Sequence, residues 1–461
     1  MAVASWTAAL PGTGDGTGED RLSKAHLQQL DGLRGPLAMG VIAINMGLYN
    51  AGANTPVGTF LVLSGLTSFL AYCGKEWDDV SRAQFFQRRL VRLMPMVLVT
   101  TALQLCVAAL WLLRPGVTIP ELSSGGSFTF VVTSLALVLM LAGSGAICPG
   151  TACGCCRIDR WPRPPSSLFL LVLGTYLANI AWYIGLLLLL NAYFLPMLLA
   201  AYGEAWRAAP PSWAVLVGWA ALEGLQFGVP LAVYAATQDP HRWYDATVLL
   251  YLGIPPSPFR LPTFVFGLQL GRWALFETSR EGRGESRAIA EARTLVPVLA
   301  TALVVVFLHG FLTPEPEMHN PNTGSTPLQW AAIHLIHPFN VLALVCGLVA
   351  APQSLVARLL ASPPLTILAD LSYAIYLLQT AVISLYVKAF NKKWQSELEL
   401  LMASADASAL NALDYGAVVL LCTALAYPVT RWIEPRVAAW LRARVEGATS
   451  RAQMTSGVVQ L

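Results

Sequence analysis

The chain has 461 residues, of which 56% are hydrophobic and only 12% are charged, and its formal net charge is +3. A soluble domain carries about a quarter charged residues, so this composition excludes an ordinary soluble protein and indicates one embedded in a lipid bilayer. The small net charge argues against a nucleic-acid partner. Eight cysteines in a chain of this length exclude a small disulfide scaffold.

The apolar segments, taken in chain order, predict an all-α fold, a polytopic transmembrane helical bundle. Residues 1–29 contain the Gly-rich acidic stretch LPGTGDGTGED and are predicted to form a disordered tail. A membrane domain is predicted for residues 30–436 and a cytosolic tail for 437–461. The predicted spans approach the roughly 20 residues that a membrane helix requires. They are 36–53, 55–74, 94–113, 127–146, 182–201, 213–235, 259–276, 294–312, 328–350, 365–387 and 412–433.

The distribution of Lys and Arg predicts how the spans are oriented. The loops 75–93 and 277–293 and the C-terminal tail are rich in arginine, so we expect them, and both termini, in the cytosol. The loop 313–327 has no Lys or Arg and is expected on the opposite side. Eleven spans would place loop 277–293 and the C-terminal tail on the side opposite to the cytosol. The segment 127–181 restores their cytosolic location if it forms two extra spans or a re-entrant insert. The predicted total is therefore about ten to twelve spans.

Several short segments, in order, carry the pattern of one known family. They are LDGLRG (30–35), TFLVLSGLTSFL (59–70), FFQRRLVRLMP (85–95), WYIGLLLLLNAYFLP (182–196), FRLPTFVFGLQLG (259–271), LADLSYAIYLLQT (368–380) and TRWIEPR (430–436). The fourth segment is the weakest match. Together they resemble the acyltransferase family 3 membrane proteins over about residues 30 to 436.

The resemblance implies a membrane-bound O-acyltransferase that transfers an acyl group, often acetyl, from cytosolic acyl-CoA to a hydroxyl of a glycan or lipid acceptor. In that family the first helix carries an arginine and, eleven positions later, a histidine. Arg34 and Asn45 keep this spacing, but Asn45 stands in place of the histidine. Thr263 likewise stands where the family usually has Glu, and Gln379 stands where it usually has His or Trp. The alternative function is a catalytically silent relative that binds or transports a lipid or acyl-carrying ligand.

Acyl transfer to a hydroxyl requires a group that accepts the hydroxyl proton. The amide of Asn45 is not basic, so it can only position a reacting group or, alternatively, form a bond between helices. His241 and His309, both expected toward the outer side, are therefore the candidate bases. His334 and His337 lie three apart on one helical face, but no further ligands accompany them. No metal is expected, and each histidine is predicted to hydrogen-bond a neighbour.

Arginines near the predicted cytosolic face are candidates for binding the phosphates of acyl-CoA. Arg34 and the cluster Arg88, Arg89 and Arg92 carry the planar fork that binds phosphate in two hydrogen bonds. The alternative for the cluster is an anchor to anionic lipid. Asp31, three positions before Arg34, is expected to orient it. Further polar positions, predicted to be structural, are Ser64, Arg260, Gln379 and Glu434.

Overall fold

The part of the chain that the structure describes is built from helices. The structure is a computed structural model, and it describes residues 19–46, 54–72, 93–100, 102–103, 106, 190, 195, 198, 210–226, 228–237, 260–278, 293–298, 327–390, 392–393, 408–440 and 443. Within these residues the strands are only two residues long, Lys392–Lys393 and Ser408–Ala409. The predicted all-α class is confirmed.

The longer helices are named α1 to α9 in chain order. They are α1 (Glu19–Asn45), α2 (Asn54–Tyr72), α3 (Trp213–Gln226), α4 (Gly228–Thr237), α5 (Leu261–Thr278), α6 (Pro327–Ala350), α7 (Leu355–Leu360), α8 (Pro363–Ala389) and α9 (Ala412–Pro428). A π-helical turn, Val429–Ile433, follows α9 directly. Residues 93–100, 293–298 and 434–440 are also helical.

Helix α1 lies earlier in the chain than the predicted first span, 36–53. It begins at Glu19 and ends at Asn45, so it includes part of the segment that the composition predicts as a tail. The stretch RLSKAHLQQL (21–30) has no Gly or Pro and is rich in good helix formers, which favours this early start. The stretch after Met46, GLYNAG, is rich in residues that break helices, which favours the early end.

The predicted span 213–235 corresponds to two helices, α3 and α4, instead of one. Helix α3 ends at Gln226 and α4 begins at Gly228. Pro230 follows within the first turn of α4 and has no backbone N–H to donate to the carbonyl of Gln226, four residues earlier. A proline is tolerated there because the first turn of a helix has no internal acceptors for its N–H groups.

The described helices belong to two compact units. The first comprises residues 1–75, 201–376 and 409–423, and the second comprises residues 76–200, 377–408 and 424–461. Helices α1 to α7 all belong to the first unit. One apolar core joins α1, α2, α3, α5, α6 and α7 of that unit, and its fully buried members include Leu66, Phe266 and Val345.

Helices α2 and α5 run parallel and in close contact. Gly267 lies against Val62, and Gly271 lies against Leu66, so the two helices advance in the same direction. A Cβ on Gly267 would overlap the carbonyl oxygen of Val62, and Gly65 of α2 is equally close to the backbone of α5. Glycines at such a crossing allow two membrane helices to approach at backbone distance.

Two contacts of α1 define the ends of the first unit. Near one end, Gln29 Nε2 donates a hydrogen bond of 2.9 Å to the carbonyl oxygen of Leu348, close to the end of α6. Near the other, a Cβ on Gly40 would lie 3.4 Å from Pro56, close to the start of α2. We call the end with Gln29 the lower end and the end with Gly40 the upper end. Helices α2, α5 and α6 therefore run from the upper end to the lower end.

Helix α3 runs in the opposite direction to α5. The ring centroids of Trp213, at the start of α3, and Trp273, in the second half of α5, are 5.8 Å apart. The start of α3 therefore lies toward the lower end. Because Glu223 is in the last turn of α3, this direction brings it to the upper end.

Two helices among the described residues are long and apolar enough to cross a membrane, Pro363–Val387 and Ala412–Trp440. Three shorter apolar helices are Pro56–Tyr72, Trp213–Leu225 and Leu335–Ala350. All five fall within or across spans that the sequence predicts. The number of ten to twelve spans stays a prediction, and the segment 127–181 lies outside the described residues.

Candidate functional site

The three residues predicted on α1 lie at separate levels of that helix. Asp31 and Arg34 are half-buried and lie toward the lower end. Asn45 is exposed and is the last residue of α1, so its amide lies at a helix terminus and not in the middle of a span. At 1.5 Å per residue, Arg34 and Asn45 are separated by about 16 Å along the helix.

Five predicted site residues lie outside the described residues. They are the arginines of the predicted phosphate cluster and the two candidate bases, namely Arg88, Arg89, Arg92, His241 and His309. Convergence of the arginines on Arg34, and the role of either histidine as a base, therefore stay predictions.

The remaining predicted polar residues lie on separate helices. Ser64 is half-buried in the middle of α2, and Gln379 is buried in α8. Glu434 is half-buried and follows the π-helical turn, with its backbone N–H donating to the carbonyl oxygen of Val429. Arg260, directly before α5, is 2% exposed and is among the largest fully buried side chains in the described part of the chain.

A carboxyl group beside Arg260 was not predicted from the sequence. Glu223 is 2% exposed; it accepts a side-chain hydrogen bond from Thr263 and interacts electrostatically with Arg260. Thr263 is itself fully buried, in the first turn of α5. A buried carboxylate is costly unless an opposite charge and hydrogen-bond donors compensate for lost water. Arg260 supplies the opposite charge and Thr263 one hydrogen bond, and together they offset only part of the cost of burial.

A histidine and a hydroxyl form a second polar contact at the upper end. Thr59 Oγ1 lies 3.0 Å from His337 Nε2, and the tautomer of the ring decides which of the two donates. Thr59 is buried, whereas His337 is half-buried. This contact is the neighbour bond that the sequence predicts for His337. The side chain of His334 lies outside what the structure describes.

Two close packing contacts link the helix that carries Glu223 to the helices that carry Thr59 and His337. A Cβ on Gly58, the residue before Thr59, would lie 3.5 Å from Glu223 Oε1. A Cβ on Gly224 would lie 3.1 Å from the carbonyl oxygen of Leu335, on the helix that carries the histidine. Helices α2, α3, α5 and α6 therefore contribute polar side chains to the same end of the first unit. We call this group, Thr59, Glu223, Arg260, Thr263 and His337, the polar cluster.

The polar cluster contains groups that can exchange protons or bind hydroxyl groups. An imidazole accepts and releases a proton near neutral pH, and a carboxylate accepts hydrogen bonds from hydroxyl groups. Ionisable side chains in the apolar interior of a membrane protein are usually functional, because their burial is costly.

One signal in the sequence marks the carboxyl group. Glu223 is the only charged residue in the apolar stretch 213–235, and a lone ionisable residue in a membrane span indicates a functional site. Thr59 carries no such signal, because a single threonine is common in an apolar helix and only its contact with His337 distinguishes it.

The sequence also matches a family model, described as an acyltransferase domain, over residues 27–431. No curated protein and no solved structure matches the chain significantly. The matched range includes every helix from α2 to α9 and all five residues of the polar cluster. Because the match covers most of its length, the chain belongs to acyltransferase family 3.

Proposed function

We propose that the protein is a membrane-bound acyltransferase that moves an acyl group, acetyl in the simplest case, from cytosolic acyl-CoA to a hydroxyl of a glycan or lipid acceptor. Membership in an acyltransferase family supports the transfer chemistry. The hydrophobic composition and two helices of sufficient length support a membrane location. The observation that carries the proposal is the 3.0 Å contact between His337 and Thr59. It provides an imidazole although the first helix has asparagine in place of histidine.

In this proposal His337 is the general base. The acceptor hydroxyl oxygen attacks the thioester carbonyl carbon while His337 takes the hydroxyl proton. The new C–O bond forms, the C–S bond breaks, and the proton passes to the departing thiolate of coenzyme A. A positioned base of this kind contributes about 10²–10⁴-fold to the rate. Thr59 holds the ring in one orientation through its hydroxyl group.

The donor phosphates are proposed to bind at the lower end. Arg34 lies toward that end, and α2 ends there at Tyr72, shortly before the arginine-rich segment 75–93. Thr59 and Tyr72 are separated by about 20 Å along α2. This distance suits the pantetheine arm of a coenzyme whose phosphates and thioester lie at opposite ends of the unit.

A multi-pass topology with a cytosolic lower end accompanies this proposal. The loops 75–93 and 277–293 follow α2 and α5, which run parallel. The loop 313–327 precedes α6, which starts at the upper end. This arrangement agrees with the distribution of Lys and Arg, which predicts the first two loops on the cytosolic side and the third on the opposite side.

A second candidate function is a catalytically silent member of the family that binds or transports a lipid or acyl-carrying ligand. The observation that favours it is Asn45, which is not basic and lies exposed at the end of α1. The two candidates differ in one respect: only the first requires His337 to take up a proton.

The test is incubation of membranes that contain the protein with labelled acetyl-CoA, followed by extraction of glycans and lipids. The acyltransferase proposal predicts label in one of these fractions, loss of the label with His337→Ala, and full label with Gly218→Ala. Gly218 is a suitable control because a Cβ there would meet nothing within 4 Å. Absence of label with every variant, at normal expression, would favour the silent relative.

A further inference from the structure

We propose that Glu223 binds a hydroxyl group of the acceptor and positions that molecule beside His337. The inference rests on the proposed function, which supplies the identity of the ligand as a hydroxyl compound. Glu223 would thereby become a residue that determines which acceptor is used, whereas His337 would determine the rate of proton transfer.

The first observation is a buried carboxyl oxygen of Glu223 that makes no hydrogen bond within the described residues. Glu223 is 2% exposed, and its Oε2 has no hydrogen-bond partner within the part of the chain that the structure describes. A buried acceptor without a donor costs free energy that a correctly placed donor recovers. A hydroxyl group of a ligand can both donate and accept a hydrogen bond, so it can satisfy this oxygen.

The second observation concerns the groups that orient this carboxyl group. Arg260 is a positive charge that interacts with it, and the Thr263 hydroxyl group donates a hydrogen bond to it. Both are buried and belong to the first turn of α5 or the residue before it. Both residues interact with the carboxyl group from the start of α5, and neither forms a hydrogen bond to its Oε2.

The third observation is the small residue that faces the carboxylate. Gly58 presents no side chain to Glu223, and a Cβ there would lie at an ordinary contact distance of 3.5 Å from Oε1. The next residue, Thr59, carries the hydroxyl group that contacts His337. The carboxyl group of Glu223 and the proposed base are therefore in contact with consecutive residues of α2.

A purely structural role is the competing explanation, with Glu223 acting only as the counter-ion of Arg260. That role predicts lower stability for Glu223→Gln and no selective effect on the acceptor. A role in binding predicts a higher KM for the acceptor with a nearly unchanged KM for acetyl-CoA. Loss of a base would instead lower kcat, as predicted for His337→Ala.

The experiment uses the full chain in lipid nanodiscs and two probes, methyl glucoside and the same sugar with every hydroxyl O-methylated. Binding is measured by calorimetry without any donor. We expect the wild type and Gly218→Ala to bind methyl glucoside and to ignore the methylated sugar. Glu223→Gln is expected to raise the Kd for methyl glucoside about tenfold, because an amide group replaces one oxygen of the carboxyl group and its hydrogen bond to the sugar is lost. The Kd for coenzyme A is expected to stay unchanged.

Should Glu223→Gln fail to fold, Gly58→Ala carries the same test, because its methyl group fits by an ordinary contact but narrows the space beside the carboxylate. An unchanged Kd for the sugar in a folded Glu223→Gln or Gly58→Ala protein, equal binding of both sugars, or no binding by the wild type would overturn the inference. Sugar binding that depends on Glu223 without any acyl transfer would contradict the proposed function alone. Transfer with an unchanged acceptor KM in Glu223→Gln would contradict the inference alone.

Discussion

Thr59 and His337 are 278 positions apart in the sequence, yet Thr59 Oγ1 and His337 Nε2 lie 3.0 Å apart. The contact joins α2 to α6 at the upper end of the first unit. It places an imidazole next to a hydroxyl group one residue from Gly58, which faces the buried carboxyl group of Glu223. The first helix has Asn45 where the family pattern has a histidine, and the proposed function assigns the role of base to His337.

His337→Ala is expected to lower acyl transfer by about 100-fold or more, because the proposed base is lost. Thr59→Val keeps the size of the side chain and removes only its hydroxyl, so it is expected to retain measurable transfer. Coenzyme A binding should be unchanged in both variants. Full activity of His337→Ala would contradict its role as the base and would favour His241 or His309, the bases predicted from the sequence.

Gly65→Ala and Gly267→Ala are expected to destabilise the first unit by about 1–3 kcal/mol each, as for overpacked cores. The added methyl group would overlap backbone atoms of the opposite helix, α5 or α2. Gly218→Ala is the matched control, because its methyl group would meet nothing within 4 Å. Thermal unfolding in detergent measures the difference, and equal midpoints for all three variants would contradict the close packing of α2 against α5.

Arg34→Lys and Arg88→Lys are expected to weaken the binding of coenzyme A while leaving expression intact. Lysine keeps the positive charge but cannot form the two parallel hydrogen bonds that a guanidinium makes to phosphate. Arg436→Lys, an exposed position beyond the last predicted span, serves as the control. Equal affinities in the wild type and both variants would remove these arginines from the donor site.

Single cysteines in the loops test the topology. In sealed vesicles whose cytosolic face is outward, a membrane-impermeant thiol reagent is expected to label positions in 75–93, 277–293 and the C-terminal tail but not in 313–327. Labelling of 313–327 together with the tail would contradict it. The parallel course of α2 and α5 adds the expectation that 75–93 and 277–293 always behave alike.

Asn45→Ala is expected to weaken acyl transfer without abolishing it, because an amide can position a reacting group but cannot accept its proton. Its location at an exposed helix end predicts little effect on the free energy of unfolding. Asn45→His provides the complementary measurement. If the wild type transfers no label and Asn45→His does, the protein is a silent relative whose first helix has lost its base.

The site shows where sequence reasoning reached its limit. The sequence indicates Arg260 as a structural residue at a helix end, but it does not indicate that Glu223, the only charged residue in 213–235, is its neighbour. Thr263 was recognised as a departure from the family pattern, which has a carboxylate at that position. The structure adds that Thr263 contacts a carboxyl group supplied by a different helix.

The amino-acid sequence alone determined the helical class, the membership in an acyltransferase family and the approximate positions of several helices. The helical class and the helix positions depend on local composition and periodicity, because an apolar run favours a helix wherever it lies in the chain. The family membership depends instead on short motifs that occur in a fixed order along the chain. The tertiary structure alone decided that α2 and α5 run parallel, that α1 ends at Asn45, that Thr59 contacts His337, and that Thr263 donates to Glu223. Such contacts depend on which helix faces pack, and residues far apart in the chain leave no local pattern that specifies their meeting.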